Sequence, residues 1–390
     1  MTRQRSPRSK AFARSARALL GRWLWPGGDQ GRSKNDVIVC QDWMDASGGA
    51  ERVLVEVVRA LPGVSRVYVL RIKGDRSATR HLGIPVTQSV LGASWLPDNI
   101  FNYLLPLMPL VWRFLPVGDA RMVFTSSYAT VNSIPRRGGV DRVSYCHTPM
   151  RYAWEPKLES GRVPPIVRPL LGPVSSLLRR RDRQWSTNVD HYITNSQFVA
   201  ERIQRAYGRE AEVLWPPVRT DIWTPGDGDH KRTGFLAIGR LVPYKRFDIA
   251  IRAANESGAT LTVVGAGPER ARLESIAGPT VGFFGSVDDH ELSELYRSSV
   301  ALIFPGIEDF GIVALEAQAS GTPVIGARAG GLLETVIDGV TGALVAQDVS
   351  EIAGAMRCVD ATTFSPDDCR KNATRFDRKR FVEKLADLCA

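Results

Sequence analysis

Cysteine is scarce and scattered in this 390-residue chain: Cys40, Cys146, Cys358, Cys369 and Cys389 are odd in number and form no C-x-x-C pair. A disulfide scaffold and a zinc site are therefore not expected, and a reducing cytoplasm is the simplest setting. Histidines are few and isolated. The D-x-D formed by Asp227 and Asp229 follows no apolar strand, so no metal site and no metal cofactor are expected. Long apolar runs are missing too. The most apolar stretch, Tyr103 to Trp112, is broken by Pro106 and Pro109, whereas a membrane span needs roughly 20 apolar residues. No low-complexity segment or short-period repeat is present.

Acidic residues are nearly absent from the first 35 positions. Nine Lys/Arg stand there against Asp29 alone, so eight of the ten net positive charges lie in that segment. The remaining body is close to neutral, which argues against a broad nucleic-acid surface. Within the basic segment, Phe12, Ala16, Leu19, Leu20 and Trp23 recur at helical spacing, and Trp23 and Trp25 end the run before Pro26-Gly27-Gly28. A basic amphipathic helix over residues 1–25 suits an anionic membrane surface. A solvated extension, or a start codon placed too early, fits the same residues.

From Asp36 the pattern is regular. Short apolar strands are expected at Val37–Cys40, Arg66–Leu70, Met122–Thr125, Val143–Cys146 and His191–Thr194, with helices between most of them, the first over Ala50–Ala60 after Ser47-Gly48-Gly49. A second series follows at Phe235–Ile238, Thr260–Val264, Val281–Phe283, Val300–Phe304, Val324–Gly326 and Ala343–Val345. Such alternation implies parallel sheets covered on both faces. The expected fold is α/β, with two Rossmann-like doubly wound domains facing a cleft. The expected boundaries are a basic extension at 1–35, a first domain at 36–214, a Pro/Gly/Asp-rich linker at 215–233, a second domain at 234–365 and a C-terminal helix within 366–390 that crosses back to the first domain.

The stretch F-P-G-I-E-D-F-G-I-V-A-L-E-A carries the most chemistry. A helix is expected from about Phe310 to Ser320, with Glu308 in the preceding loop and Glu316 on the helix. Were all these residues helical, the two carboxylates would lie roughly 12 Å and 80° apart, too far to share a proton. The helix N-terminus between them attracts anions. An elongated ligand fits: a polar group near Glu308, a phosphate over Gly311-Ile312-Val313, and a hydroxyl-bearing group near Glu316. The plainer reading is that Asp309 or Glu308 caps the helix and Glu316 faces water.

In G-R-L-V-P-Y-K, Arg240 and Lys245 follow a strand end, where two cations can neutralise a diphosphate; a surface ion pair is the alternative. V-V-G-A-G-P-E offers Gly265 and Gly267 for close approach of a ligand to the backbone. Arg270, however, stands where a third dinucleotide-binding glycine belongs. His147, Arg151, Tyr152 and Trp154 follow strand Val143–Cys146 in a polar-aromatic loop that suits a sugar or acceptor, or interdomain packing. Arg179–Arg181 and Arg183 could meet phospholipid or an acceptor diphosphate, or simply solvent.

Taken together and in this order, these motifs resemble the family 4 retaining glycosyltransferases of GT-B fold, over roughly residues 36–390. G-G-A-E-R, Y-C-H-T-P-M-R-Y-A-W, T-N-S-Q-F-V-A-E-R-I and V-L-W-P-P-V are similar to the branch of GDP-mannose-dependent mannosyltransferases of surface-polysaccharide synthesis. The resemblance implies roles. Arg240 and Lys245 bind the donor diphosphate, Glu308 holds the sugar hydroxyls, and Glu316 binds the ribose. Phe310 and the amides of Gly311, Ile312 and Val313 meet the phosphates or sugar. His147 lies beside the sugar with Arg151 and Tyr152 on the acceptor side, and Gly48 and Gly49 close the donor site.

The expected reaction is retaining transfer of a hexose, mannose from GDP-mannose, to a hydroxyl of a lipid-linked or growing glycan. It needs no cofactor beyond the nucleotide-sugar co-substrate. The expected location is cytoplasmic and peripheral on the inner face of the plasma membrane, through residues 1–25 and Arg179–Arg183. Alternatives are a UDP-sugar donor, an NAD-dependent oxidoreductase built on Val263–Glu269, and a catalytically idle membrane-associated scaffold. Two departures from the family pattern, Ile307 and Ala314, remove no proposed ligand.

Overall fold

The computed structural model describes residues 19–28, 33, 35–45, 48–74, 77–156, 171–226 and 231–389. Phe12, Ala16, Ser47, Asp227 and Asp229 lie outside the described residues. The chain divides into two compact units.

The first unit is built on strands β1 (Val37–Gln41), β2 (Val64–Val69), β3 (Val86–Gln88), β4 (Met122–Ser127), β5 (Asp141–Cys146), β6 (His191–Thr194) and β7 (Glu212–Val213). Their order across the sheet is β3-β2-β1-β4-β5-β6-β7, and all pairings are parallel. The chain thus winds one way from β1 to β3 and the other way from β4 onward. That reversal makes the carboxyl ends of β1 and β4 a topological switch point. The register sets Cys40 of β1 between Tyr68 of β2 and Thr125 of β4. Helices of this unit include α1 (Gly49–Ala60), α2 (Met108–Arg113), α3 (Arg151–Trp154), α4 (Leu171–Ser186) and α5 (Gln197–Tyr207). Strands β3 and β7 were not expected from the sequence.

One part of the basic extension belongs to this unit. Trp25 is fully buried among Ile38, Tyr68 and Trp112, and its Nε1 donates to the Val111 carbonyl at 3.2 Å. The expected pairing of Trp25 with Trp23 as a membrane-facing aromatic end therefore fails. In the described helical turns of residues 19–24, Leu19, Leu20 and Trp23 face outward while Leu24 and Trp25 turn in.

The second unit repeats the plan with β8 (Phe235–Ile238), β9 (Leu261–Val264), β10 (Val281–Phe284), β11 (Ala301–Phe304), β12 (Val324–Ala327) and β13 (Gly342–Val345). The order is β10-β9-β8-β11-β12-β13, again all parallel, with its switch point at β8 and β11. Strand alternation fills both faces. Phe235 and Ala237 pack in one cluster with α6 (Phe247–Ser257) and α10 (Val349–Cys358). Leu236 packs in the other with α7 (Asp289–Ser298) and α8 (Ile312–Ala319). The short helix α9 (Leu332–Thr335) lies between β12 and β13.

Two boundaries differ from expectation. Residues 215–226, read as linker, pack into the second unit: Trp223 is fully buried edge-on against Tyr296, and Trp215 stacks on Phe376. Proline richness there marks a hydrogen-bonded irregular segment, not a loose tether. The C-terminal helix is two helices, α11 (Pro366–Ala373) and α12 (Arg378–Leu388). From Val382 onward the chain groups with the first unit, where Lys384 Nζ donates to the Val213 carbonyl at 2.8 Å.

Candidate active site

In the second unit the switch point gathers Arg240, Lys245 and Glu308. Strand β8 ends at Ile238, and Gly239 follows with a φ of 143° that side-chain-bearing residues rarely adopt; a Cβ there would sit 2.8 Å from Lys245 Nζ. The chain then makes a 3-10 turn over Pro243–Lys245. This folds the lysine back over the strand end, where its ammonium lies 2.8 Å from Glu308 Oε1. Burial pulls the Lys245 pKa down, but the Glu308 carboxylate outweighs it with help from Tyr244, so the net shift is upward. Arg240 is exposed and, among the described residues, has no hydrogen-bond or ion-pair partner. Its positive charge is felt at Lys245.

Glu308 is fixed by its own backbone, whose carbonyl accepts from Gly331 N at 2.9 Å. Helix α8 begins at Ile312, two residues later than expected. Its N-cap is Gly311 at φ 87°, with no side-chain cap. The plainer reading, in which an acid caps this helix, is thereby excluded. Among the described residues, no protein acceptor takes the amides of Gly311, Ile312 and Val313. Free N–H groups at a helix start favour an anion.

Four expected ligands stand differently. Phe310 is 4% exposed and packs edge-on against Phe376, so its ring is core and only its backbone faces the loop. Glu316 does not face water: it is 3% exposed, and the Tyr296 hydroxyl donates to its Oε2 at 3.4 Å. The space a side chain would take at Gly265 and Gly267 is filled by neighbouring backbone. A Cβ on Gly265 would meet the Gly239 carbonyl at 2.1 Å, and one on Gly267 would meet that of Leu241 at 2.3 Å. The G-A-G loop lies against the turn that carries Arg240, stitched to it by Leu241 N to Ala266 O and Glu269 N to Leu241 O.

In the first unit the switch point forms a second polar cluster. His147 follows β5, half-buried, with its ring edge-on to Tyr145. Its Nε2 lies 2.9 Å from Ser126 Oγ at the end of β4. Ser126 Oγ donates to Gln41 Oε1 at 2.8 Å. Gln41 Nε2 in turn donates to the Trp43 carbonyl and to Glu51 Oε1. Two acceptors on Nε2 fix the amide orientation, so the Ser126 proton goes to Gln41. A hydroxyl has one proton to give, so Ser126 must accept from His147. Neutral His147 therefore carries its proton on Nε2, and Nδ1 keeps its lone pair.

Glu51, the acid of G-G-A-E-R, anchors this chain; burial raises its pKa to about 7 against hydrogen bonds from Asp45 N and Gln41. Its carboxylate fills the space beside Gly48, where a Cβ would lie 1.9 Å from Oε2. Gly49 opens helix α1 with nothing around its Cβ position. Arg151 and Tyr152 are half-buried on α3. Gln41, Glu51 and Ser126 were not singled out by sequence. Only Glu51 carried a signal, its place in the glycine motif.

Asp42 is a structural neighbour of this cluster. It accepts from the amides of Tyr128, Ala129, Thr130 and Val131, tying β1 to the turn after β4. Among the described residues no group of His, Cys, Asp and Glu has the arrangement of a metal site.

Residues 47–222 match the model described as Glycosyltransferase Family 4, and residues 225–376 match Glycosyl transferases group 1. The chain is 34% identical over 255 residues to the D-inositol 3-phosphate glycosyltransferase of Acidothermus cellulolyticus, covering 57% of this chain and 54% of that one. The Mycolicibacterium smegmatis protein of the same name is 31% identical over 188 residues, covering 42% and 43%. The chain thus spans about half the length of the curated relatives it matches.

Among solved structures, sucrose-phosphate synthase of Thermosynechococcus elongatus superposes with a TM-score of 0.70 at 18% identity, covering 91% of this chain and 98% of that one. Anabaena HepE in complex with UDP and glucose gives 0.67 at 18%, covering 90% and 98%. The lipopolysaccharide glycosyltransferase WaaG gives 0.62 at 18%, covering 90% and 99%. These likenesses, with the two parallel sheets, place the fold in the GT-B class. The chain accordingly carries a region that matches the Glycosyltransferase Family 4 domain, residues 47–222, followed by one that matches the Glycosyl transferases group 1 domain, residues 225–376.

Proposed function

We propose that the protein is a retaining glycosyltransferase that moves a hexose, mannose from GDP-mannose, to a hydroxyl of a lipid-linked or growing glycan. The observation that carries this is the Lys245–Glu308 pair beside unpartnered Arg240 and the uncapped start of α8. Two cations and a set of free amides suit a diphosphate, and a carboxylate next to them suits sugar hydroxyls. In the proposed step the bond from the anomeric carbon to the diphosphate oxygen breaks. A bond to the acceptor oxygen forms on the same face, and the acceptor proton passes to the departing diphosphate. Arg240 and Lys245 stabilise the charge that grows on that leaving group. Glu316 is assigned to the ribose, Gly48 and Gly49 to the donor, and His147, Arg151 and Tyr152 to the sugar and acceptor side.

A UDP-sugar donor is the second reading, favoured by the UDP and UDP-glucose complexes of HepE. The oxidoreductase alternative is disfavoured because the Gly265–Gly267 loop is occupied by the 239–241 turn. A thermal-shift panel of GDP-mannose against UDP- and ADP-sugars tests the reading, since a ligand that binds the native state raises the melting point by mass action. A shift with UDP-sugars alone overturns the mannose assignment, and no shift with any nucleotide sugar overturns the donor site.

The proposed location is cytoplasmic, peripheral on the inner membrane face. Supporting it are five free cysteines and the exposed Leu19, Leu20 and Trp23 next to the basic segment, with Trp95, Tyr103 and Leu110 also exposed in the first unit.

A further inference from the structure

Helix α4 carries the run R-R-R-D-R-Q just before its last two residues, Trp185 and Ser186. Residues 176, 179, 180, 183 and 184 recur at three- and four-residue steps, which puts them on one side of a helix. Ser176, Arg179, Arg180, Arg183 and Gln184, with Trp154 of α3, line a cavity of about 530 Å³. Arg181 is not part of this wall.

Two of the guanidinium groups are held in place by the fold. Arg179 Nε donates to the Ala153 carbonyl at 2.9 Å, and Arg183 Nε to the Ala206 carbonyl at 3.0 Å. Among the described residues each bonds only through its inner nitrogen, which leaves the terminal nitrogens to meet something else. Arg183 also stacks over Trp154, 5.5 Å from the ring centroid. The acid nearest in sequence, Asp182, is buried and spoken for: its Oδ2 accepts from Trp154 Nε1 and Tyr207 OH, both at 2.8 Å. Among the described residues none of Arg179, Arg180 and Arg183 has a carboxylate partner. Like charges gathered on one wall repel. A solvated arginine gains nothing from being pinned to a backbone carbonyl with its fork left open. Planar forks of this kind match phosphate oxygens two at a time.

We propose that this cavity is a binding site for a phosphate-bearing anion, with Arg179, Arg180 and Arg183 as its ligands and Trp154 as its apolar wall. The cavity has room for a diphosphate. Val174 and Leu177 are exposed on the preceding turns of α4. Two sources share this chemistry: the headgroup of an anionic phospholipid, and the phosphate or diphosphate of an acceptor. Trp154, the last residue of α3, lies seven positions after His147 in the chain. The site stands independently of the donor assignment.

The test compares the full chain with its R180E/R183E variant, and with R180A/R183A in case charge reversal harms folding. Inorganic pyrophosphate is titrated by calorimetry with saturating GDP present, so that a donor site, if formed, is filled. Co-sedimentation is measured with phosphatidylcholine vesicles with and without phosphatidylglycerol. Loss of charge-assisted contacts weakens pyrophosphate binding about tenfold or more in the variants. If pyrophosphate binding falls while vesicle binding is unchanged, the anion is an acceptor phosphate. If only binding to phosphatidylglycerol vesicles falls, it is a lipid headgroup. Variants that fold and bind both as the parent does overturn the site, whatever the nucleotide-sugar panel returns.

Discussion

Lys245 Nζ and Glu308 Oε1 lie 2.8 Å apart, although 63 positions separate them in the chain. Each neutralises the other. Lys245→Ala should lower kcat by about a hundredfold or more, as removal of an oxyanion donor does, with little change in melting temperature. Glu308→Gln should act differently. It leaves a buried ammonium without its carboxylate, so burial prevails and the lysine pKa falls. The alkaline limb of the pH–rate profile should then move to lower pH. A profile that stays in place would separate Lys245 from the rate.

The Gln41–Ser126–His147 chain predicts a single imidazole tautomer. In ¹⁵N NMR of the neutral protein, His147 should show a protonated Nε2 and an unprotonated Nδ1. Ser126→Ala removes the acceptor and should mix the tautomers and slow transfer. A merely structural serine would alter stability and leave the nitrogen shifts alone.

Gly265→Ala should cost about 3 kcal/mol, from an unfavourable φ and a clash with backbone that cannot yield. It should also weaken donor binding by displacing Arg240. Gly258→Ala is the control. That glycine has φ 72° but nothing within 4 Å of its Cβ position, so only the left-handed cost of about 1 kcal/mol applies. Chemical denaturation of both variants measures the difference.

Burial also raises the Asp182 carboxyl to about pH 7, against hydrogen bonds from Trp154 and Tyr207. The folded state therefore holds a proton that the unfolded chain releases near pH 4. Stability should fall as pH rises from about 4 to about 7, then level off. Asp42 and Glu51 shift in the same direction, so Asp182→Asn should remove only part of that slope. Melting temperature across this range, parent against variant, reads it directly.

The sheets were legible because their central strands are short, apolar and bounded by turn residues; His191–Thr194 and Phe235–Ile238 agree residue for residue. Strand β3 escaped because V-T-Q is brief and polar, half-buried at a sheet edge. The Glu308 loop could be read from charge and spacing. The duty of Gly265 and Gly267 could not, since a glycine serves a ligand or a neighbouring backbone equally well, and only the fold says which is there. Ser126 and Gln41 were invisible for a related reason. They lie 85 positions apart, and parallel pairing brings them together without any local pattern.

Trp25 bears on how the protein should be prepared. A shortened chain begun at residue 36, where the regular pattern starts, would discard a full-sized core side chain. It would leave an unfilled hole beside Trp112 and Tyr68, of the kind that costs about 3–5 kcal/mol. Trimming should stop before Leu19. Poor yield from a tighter cut would then report a missing core piece and not an unstable enzyme.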